Sequence, residues 1–198
     1  DDTIDIRTGG TDRIRIDGDG TFIKGVTSAQ TNAGIVPRFQ IEGSSSNESA
    51  LSIVRHSADD NAPSIRIGKT RGTGSELVSN DDFVGLIRFF AGDGTDRAST
   101  VADIFCQVDG STGANDTPGN LQFHTTADGS NSSTERMRIP SDGRILFGCS
   151  SEPTNSVSGV QLSNAATFSS PKFSVGNNVG DLTQISFING NGVVGTIK

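Results

Sequence analysis

Apolar and polar residues alternate in short runs along most of this chain, and one alternating pattern occurs twice. Residues 11–25 read TDRIRIDGDGTFIKG, and residues 134–148 read TERMRIPSDGRILFG. Strict alternation places isoleucine or methionine on one face of each first strand and two arginines on the other. Asp19-Gly20 and Asp142-Gly143 then supply the positive φ of a two-residue hairpin loop. Each copy therefore predicts a β-hairpin.

The repeat also predicts how the chain is organised. The offset from Thr11 to Thr134 is 123 residues and holds as far as Asn32 and Asn155. With eleven residues inserted, similarity resumes between residues 37–41 and 171–175. We expect the end of a preceding repeat unit (1–10), a β module A (11–67), a β module B (68–133) and a second, incomplete copy of A (134–198). Both ends fall inside repeat units, so we expect a segment of a longer array.

Further short apolar stretches lie between spacers of Gly, Ser, Asn and Asp. They predict strands at residues 36–41, 50–54, 64–67, 98–108 and 121–125. Residues 83–91, FVGLIRFFA, carry large apolar side chains on both faces, and both faces must be covered. Such a strand lies in the centre of a packed sandwich or at an interface between chains. Since no segment keeps a helical period over about ten residues, the patterns predict an all-β fold.

Composition favours strands but supplies little core. Ile and Val number thirty against seven Leu, and β-branched side chains suit a pleated surface. The chain has 25 Gly, and Leu, Ile, Val and Phe together make only about 24% of it. We therefore expect self-association, which covers thin cores and free sheet edges. The candidates for an axial or intersubunit core, with an ordinary monomer core as the alternative, are Phe83, Leu86, Ile87, Phe89, Phe90, Ile104 and Phe105.

Charge and hydropathy limit the classes of partner. The net charge of −7 argues against nucleic acid, because phosphate contacts need clustered Lys and Arg. No stretch approaches the ~20 apolar residues of a membrane span, so we expect no membrane insertion. The arginines of the repeated hairpins are equally compatible with interstrand or intersubunit clamps and with solvated outer charges; they are Arg13, Arg15, Arg136 and Arg138.

Several features that could carry chemistry have simpler interpretations. Residues 17–21, DGDGT, resemble the start of a calcium loop but lack its later Gly and Glu, so a hairpin turn is favoured. Cys106 lies in an apolar strand without a CxxC partner, which favours a buried small hydrophobe; a disulfide with Cys149 has no support. His56 and His124 have no ligand or triad pattern around them. We expect no catalytic residue, no cofactor and no metal.

Module B and the start of the second module A also carry motifs of a known family. They include GLIRF at 85–89, GDG at 92–94, VDGSTGAND at 108–116, LQF at 121–123, TTADG at 125–129 and ERMRI at 135–139. These motifs resemble the shaft and knob segments of tailed-bacteriophage tail fibres. Residues 184–198 are similar to the stretch that, in such fibres, precedes an endosialidase-type intramolecular chaperone domain, and that domain is missing here.

The resemblance implies an elongated homotrimeric fibre built of repeated β-hairpin modules. It would be assembled in the host cytoplasm and carried on the virion tail, outside the cell. The chain would bind other copies of itself, other tail proteins and a bacterial surface glycan. The implied function is structural and not enzymatic: a trimeric tail-fibre component that contributes to attachment to the bacterial host surface.

Two other classes of function stay open as alternatives. A capsule or polysaccharide depolymerase would need paired carboxylates, but many acidic residues sit in Asp-Gly turns that already explain them; these are Asp19, Asp93, Asp109, Asp128 and Asp142. A carbohydrate-binding module of a tail spike is disfavoured because the chain has no Trp and no Tyr. Loops 44–49 and 111–117 could still contact a glycan through hydroxyls and amides.

Overall fold

The computed structural model describes residues 2–153 and 157–162 in full, and the backbone of residues 172–174, 185–189 and 192–197. This described part contains strands and no helix, which confirms the predicted all-β class. Residues 154–155, 171 and 175 of the predicted second module A lie outside it. The strands are β1 (Ile4–Thr8), β2 (Thr11–Ile16), β3 (Phe22–Lys24), β4 (Phe39–Ile41), β5 (Phe83–Ala91), β6 (Ser99–Val108), β7 (Gly119–Thr126), β8 (Ser133–Ile139), β9 (Ile145–Phe147), β10 (Gly159–Leu162), β11 (Lys172–Ser174), β12 (Ile185–Asn189) and β13 (Gly192–Ile197).

The chain divides into two compact units. Unit 1 comprises Asp1–Arg66 with Phe90–Ser99, and it holds a four-stranded sheet in the order β1-β2-β3-β4. β1, β2 and β3 pair antiparallel, whereas β3 and β4 pair parallel. Ile23 is the buried apolar side chain of this sheet, and beside it Gln40 is buried with its amide bonded to main-chain groups of residues 30 and 37. The core of unit 1 is therefore small and partly polar.

Unit 2 comprises Ile67–Phe89 with Thr100–Lys198. Its main sheet has the order β11-β10-β9-β8-β7-β6-β5, so β5 lies at one edge. The strands from β6 to β11 pair antiparallel with their neighbours. β12 and β13 form a separate antiparallel pair. Because β5 lies at the edge of its sheet, it is not the central strand of a packed sandwich.

The two predicted hairpins form, but their loops differ from the prediction. Arg15 lies opposite Ile23 and Arg138 opposite Leu146, so β2–β3 and β8–β9 have the same register. Gly20 and Gly143 each have φ of 77° and donate their N–H to the carbonyl oxygens of Asp17 and Pro140. Since the preceding Asp residues do not have positive φ, each loop has three residues and ends in a left-handed glycine. The prediction of two-residue Asp-Gly loops is wrong.

Two of the shorter predicted strands are also wrong. Residues 50–54 and 64–67 belong to no strand, and the predicted strand at 36–41 is confined to Phe39–Ile41. Their alternating apolar residues give them strand character, but a strand exists only beside another strand that accepts and donates its main-chain hydrogen bonds. Among the residues that the structure describes, the segments at 50–54 and 64–67 have no such neighbour.

Candidate association surface

The two faces of the seven-stranded sheet differ sharply in chemistry. Directly opposed residues of an antiparallel pair share a face, so the register assigns every side chain from β6 to β10. One face, called here the apolar face, carries two rows of large apolar side chains. The first row is Ile104, Phe123, Met137, Phe147 and Val160; the second is Cys106, Leu121, Ile139, Ile145 and Leu162.

The described part of the chain covers the two rows of the apolar face only partly. None of its ten side chains is fully buried. Leu121, Phe147 and Leu162 keep 38%, 40% and 41% of their surface exposed. Monomeric proteins rarely leave contiguous apolar patches of this kind in water, and larger patches mark interaction sites. The fully buried apolar side chains among the described residues are only three, namely Ile23, Val108 and Leu146.

The opposite face of the same sheet, the polar face, is the better buried one. It carries Asp103, Asn120, Gln122 and Gln161, all buried. The Gln122 amide donates to Gln107 Oε1 and to Asn120 Oδ1, both at 2.8 Å, and its own Oε1 lies 2.9 Å from His124 Nε2. Buried polar groups cost little when their hydrogen bonds are made, so this ladder is tolerated inside the fold.

Asp103 anchors the edge strand to this polar face. Its carboxylate is fully buried and receives Arg88 Nε at 2.8 Å and Nη2 at 3.2 Å, while the Ser133 hydroxyl donates to Oδ2. Burial raises the pKa of Asp103, but the hydrogen bonds from Arg88 and Ser133 outweigh it and hold the pKa below its ordinary value. The carboxylate therefore stays charged and ties β5 and β8 to β6.

The residues predicted as an intersubunit core fall into three places. Phe83, Leu86, Ile87, Phe89 and Phe90 on β5 are all exposed. Ile104 is half-buried on the apolar face. Its neighbour Phe105 points to the polar face, where its ring lies 5.2 Å from Phe83 and 4.7 Å from His124. The alternative of an ordinary monomer core is wrong for the β5 residues, because a core side chain would be buried.

A shallow apolar cavity of about 150 Å³ connects β5 to the apolar face. Its lining includes Val84, Leu86, Ile104, Cys106 and Leu121. Cys106 is exposed here and free, so its prediction as a buried small hydrophobe is wrong; the sheet face that would bury it is open. Cys149 is free as well. Burial raises the pKa of the Cys149 thiol, which keeps it protonated near neutral pH.

Three of the four hairpin arginines bridge strands. Arg15 binds the Asp5 carboxylate of β1 through Nε at 2.8 Å and Nη2 at 3.1 Å, and its hydrogen bond lowers the pKa of Asp5. Arg13 donates to the Thr8 hydroxyl of β1, and Arg136 to the Thr125 hydroxyl of β7. Arg138 instead pairs with Glu135 of its own strand. As these groups are partly or fully solvated, each contact stabilises the fold only slightly.

The acidic turn residues serve the backbone. Asp17 Oδ1 accepts the N–H groups of residues 19 and 21, which is the geometry of a hairpin turn. Asp93 accepts two main-chain N–H groups and the Ser99 hydroxyl, and these bonds, led by the hydroxyl, lower the pKa of Asp93 to about 2. Asp109 accepts the N–H of Ser141. The carboxylates of Asp17, Asp93 and Asp109 therefore stabilise the turns by accepting main-chain hydrogen bonds.

Unit 1 contains a separate polar cleft. Its volume is about 590 Å³ and its lining includes Lys24, Glu42, Glu48 and Arg97. Arg97 Nη1 lies 2.9 Å from Glu42 Oε2, and the Lys24 ammonium donates to the main-chain oxygen of Glu48. Glu42 Oε1 is buried and is the one buried side-chain N or O atom without a hydrogen-bond partner among the described residues. Sequence reasoning missed this oxygen, because no local motif surrounds Glu42.

The described ranges contain neither a candidate metal site nor a candidate membrane-spanning helix. No group of three or more His, Cys, Asp or Glu side chains there could hold a metal ion. None of those residues forms a helix that could span a membrane. Comparison of the sequence with protein-family models and with curated proteins finds no match.

Proposed function

We propose that this chain is a structural segment of a trimeric phage tail fibre that contributes to attachment to the bacterial surface. The apolar face, defined above by its ten side chains, is the observation that carries the proposal. The described part of the chain leaves it partly exposed in a sheet whose polar face is the better buried one, which supports contact with another body. The sequence motifs between residues 85 and 139, which resemble shaft and knob segments, support the tail-fibre role.

A second copy is the occupant that best fits this face. Most soluble oligomers are built from identical chains with closed symmetry, and three copies facing one axis cover three equivalent apolar faces together. The equal register of the β2–β3 and β8–β9 hairpins, 123 residues apart, supports repeated modules in a longer fibre. The equivalent residues Ile23 and Leu146 are both buried, as a repeated unit would require.

The solution mass of the 198-residue chain tests the proposal. Light scattering should give three times the 20.6 kDa of one chain. Cross-linking provides a second measurement: Cys106 is exposed on the apolar face, so a short thiol-reactive bismaleimide should join copies through it. The Cys106→Ser variant, which keeps Cys149, is the matched control and should give no such product. A stable monomer that cross-links no better than this control would refute self-association.

A glycan-binding role for unit 1 is the second candidate, and the cleft beside Glu42 favours it. Glu42 Oε1 lacks a donor, and the cleft is wide enough for a short oligosaccharide whose hydroxyls donate hydrogen bonds. Saturation-transfer NMR with a panel of bacterial surface polysaccharides tests this role. The Glu42→Gln variant should lose the signal, whereas Glu76→Gln, outside the cleft, should keep it. Shortening of the polysaccharide during the experiment would instead indicate a depolymerase.

A further inference from the structure

Six Asp-Gly dipeptides occur in the sequence, and the folded chain places them in different hydrogen-bonded surroundings. They begin at Asp17, Asp19, Asp93, Asp109, Asp128 and Asp142. In such a dipeptide the glycine nitrogen can attack the side-chain carboxyl of the aspartate, because glycine has no Cβ that obstructs the approach. The reaction requires a carboxyl group and a main-chain N–H that are both free to meet, so the hydrogen bonds of each turn decide which dipeptide reacts.

The reaction converts aspartate into isoaspartate, and water is its only co-reactant. The glycine nitrogen bonds to Cγ of the protonated carboxyl group, whose OH leaves with the amide proton as water, and a cyclic succinimide forms. Water then adds to one of the two ring carbonyl carbons. Cleavage of the N–Cγ bond restores aspartate. Cleavage of the other N–C bond leaves isoaspartate, whose main chain runs through Cβ and Cγ. No group is oxidised or reduced.

Hydrogen bonds hold four of the six carboxylates in place. These four belong to Asp17, Asp93, Asp109 and Asp142. Asp93 accepts the Ser99 hydroxyl and two main-chain N–H groups, which lower its pKa to about 2 and leave little of the reactive neutral form. Asp142 accepts the main-chain N–H and Nε of Arg144 at 3.1 and 2.7 Å. Each of these carboxylates must break such bonds before it can react.

A hydrogen bond holds the glycine nitrogen in the turn after Asp19. Gly20 N–H donates to the Asp17 carbonyl oxygen at 2.9 Å, and this bond closes the β2–β3 loop. The nitrogen must leave this acceptor before it can approach the carboxyl of Asp19. The bond joins two neutral groups, so it is weaker than the bonds to the four held carboxylates.

The dipeptide Asp128-Gly129 has neither restraint. It lies in the turn between β7 and β8, where residues 127–132 are all exposed. Ser130 N–H donates to the Ala127 carbonyl oxygen at 3.2 Å, so Gly129 is the third residue of a β-turn, whose N–H the turn does not use. Within the described part of the chain, the Asp128 carboxylate accepts no hydrogen bond and the Gly129 N–H donates none.

We propose that Asp128-Gly129 is the site at which this folded chain isomerises to isoaspartate, and that the product loosens the attachment of the turn to β6. The site follows from two properties that it alone combines among the six dipeptides, a free carboxylate and a free glycine N–H. The open surroundings agree with it, since a Cβ added at Gly129 would meet nothing within 4 Å. The inference does not depend on self-association.

The effect on β6 follows from the hydrogen bonds around the turn. Isoaspartate adds one atom to the main chain between Ala127 and Ser130. The Asn131 carbonyl oxygen, one residue further on, accepts the N–H of the buried Thr100 at 3.1 Å. The added atom changes the spacing of this acceptor, so the Thr100 amide should exchange with deuterium faster in the modified chain than in the fresh chain. Equal exchange in the two forms would overturn this part of the proposal.

Prolonged warm incubation of the intact chain at neutral pH tests the site. Digestion followed by electron-transfer dissociation mass spectrometry measures isoaspartate at each of the six positions. The same incubation in urea gives the rate of each dipeptide without the fold, and the ratio of folded to unfolded rate is compared. This ratio should be highest at Asp128, about two- to tenfold lower at Asp19 and roughly tenfold or more lower at the other four. A ratio at Asp128 no higher than that at Asp93 or Asp142 would overturn the inference.

Two variants of Asp128 provide the matched controls. Asp128→Glu keeps the charge but would need a larger ring, so it should form no iso-linked product at this position. Asp128→Asn should form the same succinimide with loss of ammonia in place of water, and faster at neutral pH, because an amide needs no prior protonation. Absence of isoaspartate at position 128 in the folded Asp128→Asn variant would show that the turn prevents the attack, and it would refute the assigned site.

Discussion

Replacement of Leu121 by asparagine should weaken assembly of the proposed trimer without unfolding the sheet. Leu121 lies in the second row of the apolar face, opposite Cys106 on one side and Ile139 on the other. Complete burial of such a side chain stabilises by about 1.5–3 kcal/mol. With 38% of its surface still exposed, the interface adds roughly 0.6–1.1 kcal/mol per copy. Three copies therefore contribute about 2–3 kcal/mol to one trimer.

That energy corresponds to a change of about 30- to 150-fold in the association constant, since each 1.4 kcal/mol is a factor of ten. Because a monomer–trimer equilibrium depends on the square of the concentration, the assembly midpoint should move about five- to twelvefold upward. The unpaired amide of asparagine acts in the same direction. Sedimentation equilibrium over a concentration series measures the midpoint, and circular dichroism checks that the sheet persists.

The Asp128→Asn variant is the matched control, because it changes an exposed turn residue between β7 and β8 and no apolar contact. Its midpoint should equal that of the wild type. The reasoning is refuted if the Leu121→Asn variant assembles at the wild-type midpoint while it keeps its strand signal. The reasoning is also refuted if the assembly midpoints of Asp128→Asn and Leu121→Asn shift by the same factor.

Three further outcomes follow from the described contacts. Asp103→Asn should destabilise the fold by about 2–4 kcal/mol in urea unfolding, since it leaves Arg88 without its buried partner; Asp59→Asn, in an exposed pair, should cause little measurable change. Burial lowers the pKa of His124 below its ordinary 6.5 in the folded chain. As the pH falls, the unfolded chain therefore binds this proton before the folded chain does. The free energy of unfolding should thus fall as the pH drops below 6.5. His124→Gln should remove that part of the pH profile, and an unchanged profile would contradict the assignment. Gly20→Ala should cost roughly 1–2 kcal/mol because φ is 77°. Gly18→Ala should be close to neutral, because φ is negative there and the added Cβ would make only an ordinary van der Waals contact, 3.9 Å from the Asp2 carbonyl oxygen. Equal melting temperatures for the two variants would contradict the left-handed turn.

Local sequence predicts strands where a run is long and rich in β-branched and aromatic residues. The strand expected at 83–91 occupies those same residues, and the hairpins form where Asp-Gly turns follow alternating runs. The loop length was missed because Asp19 and Asp142 do not take positive φ, and only Gly20 and Gly143 do. A dihedral preference of this kind depends on strand twist, which the residue pattern does not contain.

The choice of which face is buried could not be predicted from the sequence. Alternation in β6 defines two faces, one with Asp103, Phe105 and Gln107 and the other with Ile104 and Cys106. Alternation alone does not tell which of the two faces is buried. An ordinary protein would bury Ile104 and Cys106. Here Asp103 is the buried residue, because Arg88 and Ser133 satisfy its carboxylate from neighbouring strands. Those partners lie 15 and 30 residues away, beyond the range of any local pattern.

In the proposed trimer the two faces of the seven-stranded sheet have different roles. The hydrogen-bonded polar face fixes the strand register within one chain, since Asp103 and Gln122 reach their partners only when β6, β7 and β8 are aligned. The apolar face then stays available for other copies in the proposed trimer. Substitutions at Asp103 should then lower the free energy of unfolding, because they remove the hydrogen bonds from Arg88 and Ser133. Substitutions at Leu121 instead change the oligomeric state at constant strand content.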